Sequence, residues 1–294
     1  MSQIVFIVGA GRSGSSILHE LLGYHPSVGW MSHLCDSRPF TPEANRRALA
    51  AARLPIVGKW LRRHFEPTEC YRFFDVTYPG FSAPMRDLVR SDVTARAARE
   101  IRARLRAVAP ADRTTLVVKI TGWPRLGFLA EIFPEARFVH LVRDGRAVAN
   151  SLLQVPWWHG WKGPANWRFG PLPARYEAEW DAHEQSFVAL AAIEWKLVMD
   201  AVEDARSEVT DARLMNVRYE DLCAEDERSM RSIIAHIGLE WARELDDALV
   251  RFPLRTRNDK WREELGAHNA TIVNEVLRDR LPQYGYSPDE QQTL

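Results

Sequence analysis

Ile4-Val5-Phe6-Ile7-Val8-Gly9-Ala10-Gly11-Arg12-Ser13-Gly14-Ser15-Ser16-Ile17-Leu18-His19-Glu20-Leu21-Leu22 reads as strand, phosphate loop and helix. A β-branched and aromatic run of strand length ends in glycines, after which the apolar spacing of Ile17, Leu18, Leu21 and Leu22 is helical. Gly9 and Gly14 keep the separation of a P-loop, whose backbone N–H groups and following helix N-terminus surround an anion. The loop residues Gly11, Arg12, Ser13, Gly14, Ser15 and Ser16 are therefore expected to hold a phosphate-like group. A nucleoside triphosphatase needs Lys and then Ser/Thr after the second glycine, whereas Gly14 here is followed by Ser15-Ser16. The positive charge sits instead at Arg12, whose guanidinium suits a terminal phosphate-like oxyanion better than a metal-bridged triphosphate.

Outward from this stretch, the chain supplies more strands of the buried type. Val28-Gly29-Trp30-Met31 leads into Ser32-His33, and ligands of parallel sheets lie beyond the carboxyl ends of strands, where His33 stands. Thr115-Leu116-Val117-Val118-Lys119-Ile120-Thr121 is a strand with Lys119 near its end, and Arg137–Arg143 is another. Asp144 caps a helix over Gly145–Leu153, so that Arg143 and Ser151 can converge on a second anion. Arg213–Val217 is a further core strand, and helices are expected over Glu225–Ile237 and Ala242–Val250. Together these predict an α/β fold, a P-loop-type central parallel sheet flanked by helices, in a single domain over residues 1–294.

Two regions elaborate this frame. About residues 37–110, prolines break the chain into short helical pieces, with helical spacing over 43–54 and from Met85 to Val108. Phe73, Phe74, Tyr78 and Phe81 read as a satellite core or an acceptor pocket. Between about 154 and 184, Trp157, Trp158, Trp161, Trp167 and Trp180 are interspersed with glycines and prolines, a composition that fits either a lid over an acceptor or packing onto the domain. One long amphipathic helix is expected from Glu177 to Arg206, with Trp180, Phe187, Leu190, Trp195 and Val198 facing the core.

Lys+Arg and Asp+Glu are both 39 in 294 residues, so no global field draws in nucleic acid or an anionic membrane. The three cysteines lack metal-ligand spacing, which argues against a disulfide framework or a zinc site. No apolar run approaches ~18 residues, so no membrane insertion is expected and the cytoplasm is the expected location. The segment Arg251–Lys260 is locally basic, through Arg251, Arg255, Arg257 and Lys260, and could clamp a phosphate.

The residues Gly9-Ala10-Gly11-Arg12-Ser13-Gly14-Ser15-Ser16 together with Val142-Arg143-Asp144-Gly145-Arg146-Ala147-Val148-Ala149-Asn150-Ser151 resemble the paired signatures of the sulfotransferases that use 3′-phosphoadenosine 5′-phosphosulfate. The pattern is similar to the bacterial branch and to the tyrosylprotein (Golgi-type) enzymes. The resemblance implies that the first motif grips the 5′-phosphosulfate and that Arg143 and Ser151 grip the 3′-phosphate. Asn216-Val217-Arg218-Tyr219-Glu220-Asp221-Leu222 resembles the segment whose tyrosine, here Tyr219, lies near the adenine. Lys260-Trp261, followed by a helix and Tyr284-Gly285-Tyr286, resembles the ending of the tyrosylprotein and bacterial branches, where a loop lysine closes over the nucleotide.

The implied activity is in-line sulfuryl transfer to a hydroxyl acceptor such as a carbohydrate, glycolipid or secondary metabolite, without a metal, leaving adenosine 3′,5′-bisphosphate. Arg12 and Lys119 would stabilise the departing phosphate. The cytosolic branch carries a histidine after the strand lysine, but this chain reads Lys119-Ile120-Thr121. The position of the tyrosylprotein branch's carboxylate base falls at Ser32-His33, making His33 the candidate general base, with Asp36 and Glu43 as weaker substitutes. Two other classes compete: a small-molecule P-loop kinase, which lacks support without a lysine after Gly14, and a non-catalytic nucleotide- or glycan-binding module.

Overall fold

A computed structural model describes residues 3–37, 42–52, 54, 58–256, 258 and 260–288. Five strands, β1 (Gln3–Gly9), β2 (Val28–Trp30), β3 (Thr115–Thr121), β4 (Arg137–Val142) and β5 (Leu214–Arg218), form one sheet in the order β2-β3-β1-β4-β5. Every pairing is parallel. The phosphate-loop strand is therefore central, and Gly9 at its end lies in register with Thr121 at the end of β3.

Strand alternation divides the core. Val5 and Ile7 face a layer made with Leu18, Leu21 and Leu22 of α1 (Ser15–Leu22), while Ile4, Phe6 and Val8 face a layer containing Phe73, Phe74, Phe81 and Phe128. Both faces are covered, which is why β1 reads as an unbroken apolar run rather than an alternating one. The clustered phenylalanines of the 37–110 region are thus core: Phe74 and Phe81 stack with centroids 4.5 Å apart.

The first elaboration holds α2 (Pro42–Ala51), α3 (Gly58–His64), α4 (Tyr71–Asp75) and α5 (Ala95–Arg106). The helical spacing from Met85 onward overreaches, because Thr94 accepts a hydrogen bond from the Ala97 N–H and starts α5 there. After β3 come α6 (Leu126–Ile132) and, behind β4, α7 (Gly145–Leu153), capped by Asp144 as expected.

The long helix expected over 177–206 is two helices, α8 (Ala174–Ala182) and α9 (Phe187–Asp204). Between them Glu184 and Gln185 take φ of 52° and 55°, and Ser186 caps the new helix. Neither residue is a glycine, so no residue type marks the break. Phe187, expected in the core, is 48 % exposed at the new N-terminus. Beyond β5 follow α10 (Tyr219–Ala224), α11 (Asp226–His236), α12 (Arg243–Arg251) and α13 (Lys260–Leu277). A third apolar layer joins α7, α9 and α13 around Trp195, Val273 and Leu277. Among the described residues no helix is long and apolar enough to cross a membrane.

Candidate active site

The β1–α1 turn has the backbone of an anion cradle. Gly14 has φ of 89° and Arg12 a φ of 68°, left-handed conformations that turn successive N–H groups inward. Gly14 must also be small, since a Cβ there would lie 2.4 Å from the Tyr219 ring. Ser13 is fully buried, and its Oγ has no hydrogen-bond partner among the described residues. A buried orphan hydroxyl inside such a turn fits an oxyanion ligand. His19, facing back from α1, bonds the Val117 carbonyl; burial, aided by nearby Lys119, lowers its pKa to about 3, so it stays neutral.

Two cationic arms reach the loop from the strands on either side of β1. From β4, Arg143 donates to the Arg12 carbonyl at 3.0 Å and lies over the Tyr219 ring, 5.1 Å from its centroid. Ser151, two turns along α7, accepts from Arg12 Nε at 2.9 Å. From β3, Lys119 donates from Nζ to Ser16 Oγ at 2.7 Å. Arg12, Ser16, Lys119, Arg143, Ser151 and Tyr219, chosen from the sequence, are thus gathered at neighbouring strand ends.

The other sequence-chosen residues are arranged differently. Ser15 is buried as the first residue of α1, and Gly11 is buried in the loop. Trp261 is buried with its ring under the Arg146 guanidinium at 5.0 Å, and Arg146 is itself paired with Asp144. Lys260 is exposed at the start of α13, and Arg257 lies outside the described residues. His33 is exposed; its ring stacks on Phe65 at 5.4 Å and meets His64 edge-on, without a side-chain hydrogen bond among the described residues. Asp36 accepts from the Phe73 N–H, with burial raising its pKa, and Glu43 is exposed in the first turn of α2.

Asn258, Glu69 and Arg168 stand at the site without belonging to any motif. Asn258 accepts from Arg143 Nε at 2.9 Å and donates to Glu220. Glu220 also receives the Asp144 N–H at 3.1 Å and the Tyr286 hydroxyl at 2.6 Å. On the β3 side, Glu69 lies 3.4 Å from Lys119 Nζ and accepts from Thr121 Oγ1 at 2.8 Å. Arg168, from the Trp-rich insert, stands over both loop ends: a Cβ on Gly122 would lie 3.0 Å, and one on Gly11 3.8 Å, from its Nη2.

The insert itself is divided. Trp158 and Trp167 are buried, with the Trp158 indole donating to Glu194 at 2.8 Å, while Trp157 and Trp161 are 49 % and 56 % exposed. Glu194 is wholly buried, so its pKa is raised despite Arg168 nearby. Beside them lies a cavity of about 140 Å³ lined by Trp157, Trp158, Trp167, Arg168, Phe169 and Glu194. Packing and exposure are both present in one insert.

A strand-loop-helix anion cradle with cations converging from both neighbouring strands fits the match of residues 4–243 to the model of the Sulfotransferase family, and the chain belongs to that family. A curated relative, an omega-hydroxy-beta-dihydromenaquinone-9 sulfotransferase, Stf3, of Mycobacterium bovis, is 25% identical over 133 residues, which are 43% of this chain and 29% of the relative. The matched segment is thus under a third of that protein's length. Among solved structures, sulfotransferase STF9 from Mycobacterium avium shares the fold with a TM-score of 0.60 at 17% identity, covering 97% of this chain and 78% of that one. STF1 from Mycobacterium tuberculosis gives 0.55 at 19% identity, covering 90% and 77%.

Proposed function

We propose that this protein moves a sulfuryl group from 3′-phosphoadenosine 5′-phosphosulfate to the hydroxyl of a small-molecule acceptor. The observation that carries this reading is the meeting of Arg143 and Ser151 with Arg12, since two anion-gripping motifs side by side suit a nucleotide phosphorylated at both ends. The buried Ser13 hydroxyl and the left-handed turn at Arg12 and Gly14 suit the 5′-phosphosulfate. Tyr219, against Gly14 and beneath Arg143, suits the adenine side.

In this reading the acceptor oxygen bonds to sulfur as the sulfur–oxygen bond to the 5′-phosphate breaks, and the bisphosphate leaves with that electron pair. Lys119 and Arg12 offset the charge gathering on the bridging oxygen, which is the largest task in such a loose transfer. The exposed Trp157, which lines one cavity with Arg168, suits an acceptor with an apolar or ring-shaped body, in keeping with the menaquinone-derived acceptor in the Mycobacterium bovis relative's name. His33 is the imidazole the sequence offers as proton acceptor; its ring is engaged with Phe65 and His64.

Calorimetric titration with adenosine 3′,5′-bisphosphate, ATP and ADP, each with and without Mg²⁺, tests the donor. Metal-independent preference for the bisphosphate is the expected result, and preference for ATP with Mg²⁺ would put a kinase in its place. The Arg143→Ala variant should bind the bisphosphate about 10–100-fold more weakly, the loss of a charge-assisted pair. Its affinity for adenosine 5′-monophosphate should change little. Equal losses for both nucleotides would remove Arg143 from the 3′-phosphate.

A further inference from the structure

We propose that Glu69 is the group that takes the acceptor's proton. This rests on the sulfuryl-transfer reading and goes beyond it by assigning the base to a residue that no motif marks.

Glu69 belongs to the non-helical segment Glu66-Pro67-Thr68-Glu69-Cys70, which is fastened to the residues leaving β2. The Thr68 N–H donates to the Met31 carbonyl at 2.9 Å, and Cys70 Sγ donates to the Ser32 carbonyl at 3.3 Å. Tyr71 then locks the segment to β3: its hydroxyl donates to the Thr121 carbonyl at 2.7 Å and receives the Thr121 N–H at 2.9 Å. Burial raises the Tyr71 pKa, so this phenol holds its proton and serves as a fixed strut. Glu69 is thereby held over the end of β3, its carboxylate 3.4 Å from Lys119 Nζ, while Lys119 bonds Ser16 at the phosphate loop.

A carboxylate in that place is paired with Lys119, yet it works against the anion that the site is built to hold. The loop, Arg12, Lys119 and Arg143 are arranged for an anion, and a negative side chain among them opposes anion binding. A structural tie to Thr121 does not require a charge, because glutamine would make it equally well. A proton acceptor does require one. The contacts also allow the work to be divided at the transfer point: Lys119 touches both the carboxylate and Ser16 of the loop, so in this proposal the cation serves the bridging oxygen and the neighbouring carboxylate serves the acceptor. His33 has no comparable link: its ring packs with Phe65 and His64, and among the described residues it makes no side-chain hydrogen bond or ion pair to the loop. In the balanced step the acceptor O–H proton passes to a Glu69 oxygen, the acceptor oxygen bonds sulfur, and the bisphosphate departs with the broken bond's electrons.

The test compares wild type, Glu69→Gln, Glu69→Asp and His33→Ala. Two readouts are used: calorimetric titration with adenosine 3′,5′-bisphosphate, and release of labelled sulfate from 3′-phosphoadenosine 5′-phosphosulfate to water, the acceptor always present, with stoichiometric enzyme. Glu69→Gln should bind the bisphosphate at least as tightly as wild type, because a like charge is gone, yet release sulfate about 10²–10⁴-fold more slowly. Glu69→Asp should recover part of the rate, and His33→Ala, the variant of the competing base, should lose far less rate than Glu69→Gln. The proposal is overturned if Glu69→Gln loses bisphosphate affinity, which would make the carboxylate a tether for Lys119. It is also overturned if that variant keeps its rate, or if His33→Ala alone suffers the large loss. A wild type that does not bind the bisphosphate would bring down the donor reading itself, and so separates the two failures.

Discussion

Lys119→Met is expected to slow sulfate release by about 10²–10³-fold while leaving bisphosphate affinity within about tenfold, the pattern of a group whose worth is concentrated where charge develops. Lys119 is 8 % exposed and already aimed at the loop, with Nζ 2.7 Å from Ser16 Oγ. A preorganised cation of this kind needs no rearrangement as the bond breaks. Methionine keeps the length and apolar stem of the side chain without the charge, so the fold of β3 should be preserved. The variant also leaves the Glu69 carboxylate without its cation, though Thr121 Oγ1 still donates to it at 2.8 Å. Single-turnover rates and bisphosphate titration on the same preparation would decide the matter. A rate within threefold of wild type would show that Lys119 serves packing alone.

The second large effect is expected at Gly14. Alanine there would bring a methyl group to 2.4 Å from the Tyr219 ring, a contact that cannot be kept, and would place a side chain at φ of 89°. The left-handed backbone alone costs alanine about 1 kcal/mol relative to glycine. The ring displacement adds to it. Gly14→Ala should therefore bind bisphosphate at least about 100-fold more weakly, at the scale of 1.4 kcal/mol per tenfold, and melt earlier. Adding Tyr219→Ala gives the clash its own control. The double variant should regain much of the melting temperature but not the affinity, since Tyr219 also lies under Arg143. Full recovery of binding would show that the loop tolerates a Cβ and that Tyr219 has no part in the nucleotide site.

What was legible in the sequence follows the physics of each signal. Strands buried on both faces announce themselves as apolar runs, and β1, β3 and β4 are found where those runs lie. The Arg143 to Ser151 spacing brings both residues against Arg12 because it is confined to a strand end and one helix, a rigid frame that needs no tertiary information. Glu69, Arg168 and Asn258 come from segments whose placement depends on hydrogen bonds to distant residues, such as Thr68 to Met31 and Arg143 to Asn258. No periodicity encodes such placement. The break between α8 and α9 hid for a related reason: Glu184 and Gln185 adopt left-handed backbone without the glycine that would flag it. The tryptophans of the insert were ambiguous because both expectations apply, Trp158 and Trp167 packing inward and Trp157 and Trp161 facing out.

The Glu220 carboxylate joins three segments distant in the chain. One oxygen receives the Asp144 N–H at the head of α7 and the amide of Asn258, and the other receives the hydroxyl of Tyr286. Burial, followed by the Glu220 charge itself, raises the Tyr286 pKa, so the phenol remains a donor. Because each segment spends its hydrogen bond on the same side chain, none can loosen without unsettling the others. Amide exchange at the Arg143 strand end, around Asn258 and in the final turn should therefore proceed as one cooperative opening rather than as independent fraying, making this carboxylate the hub of a small unit of local stability.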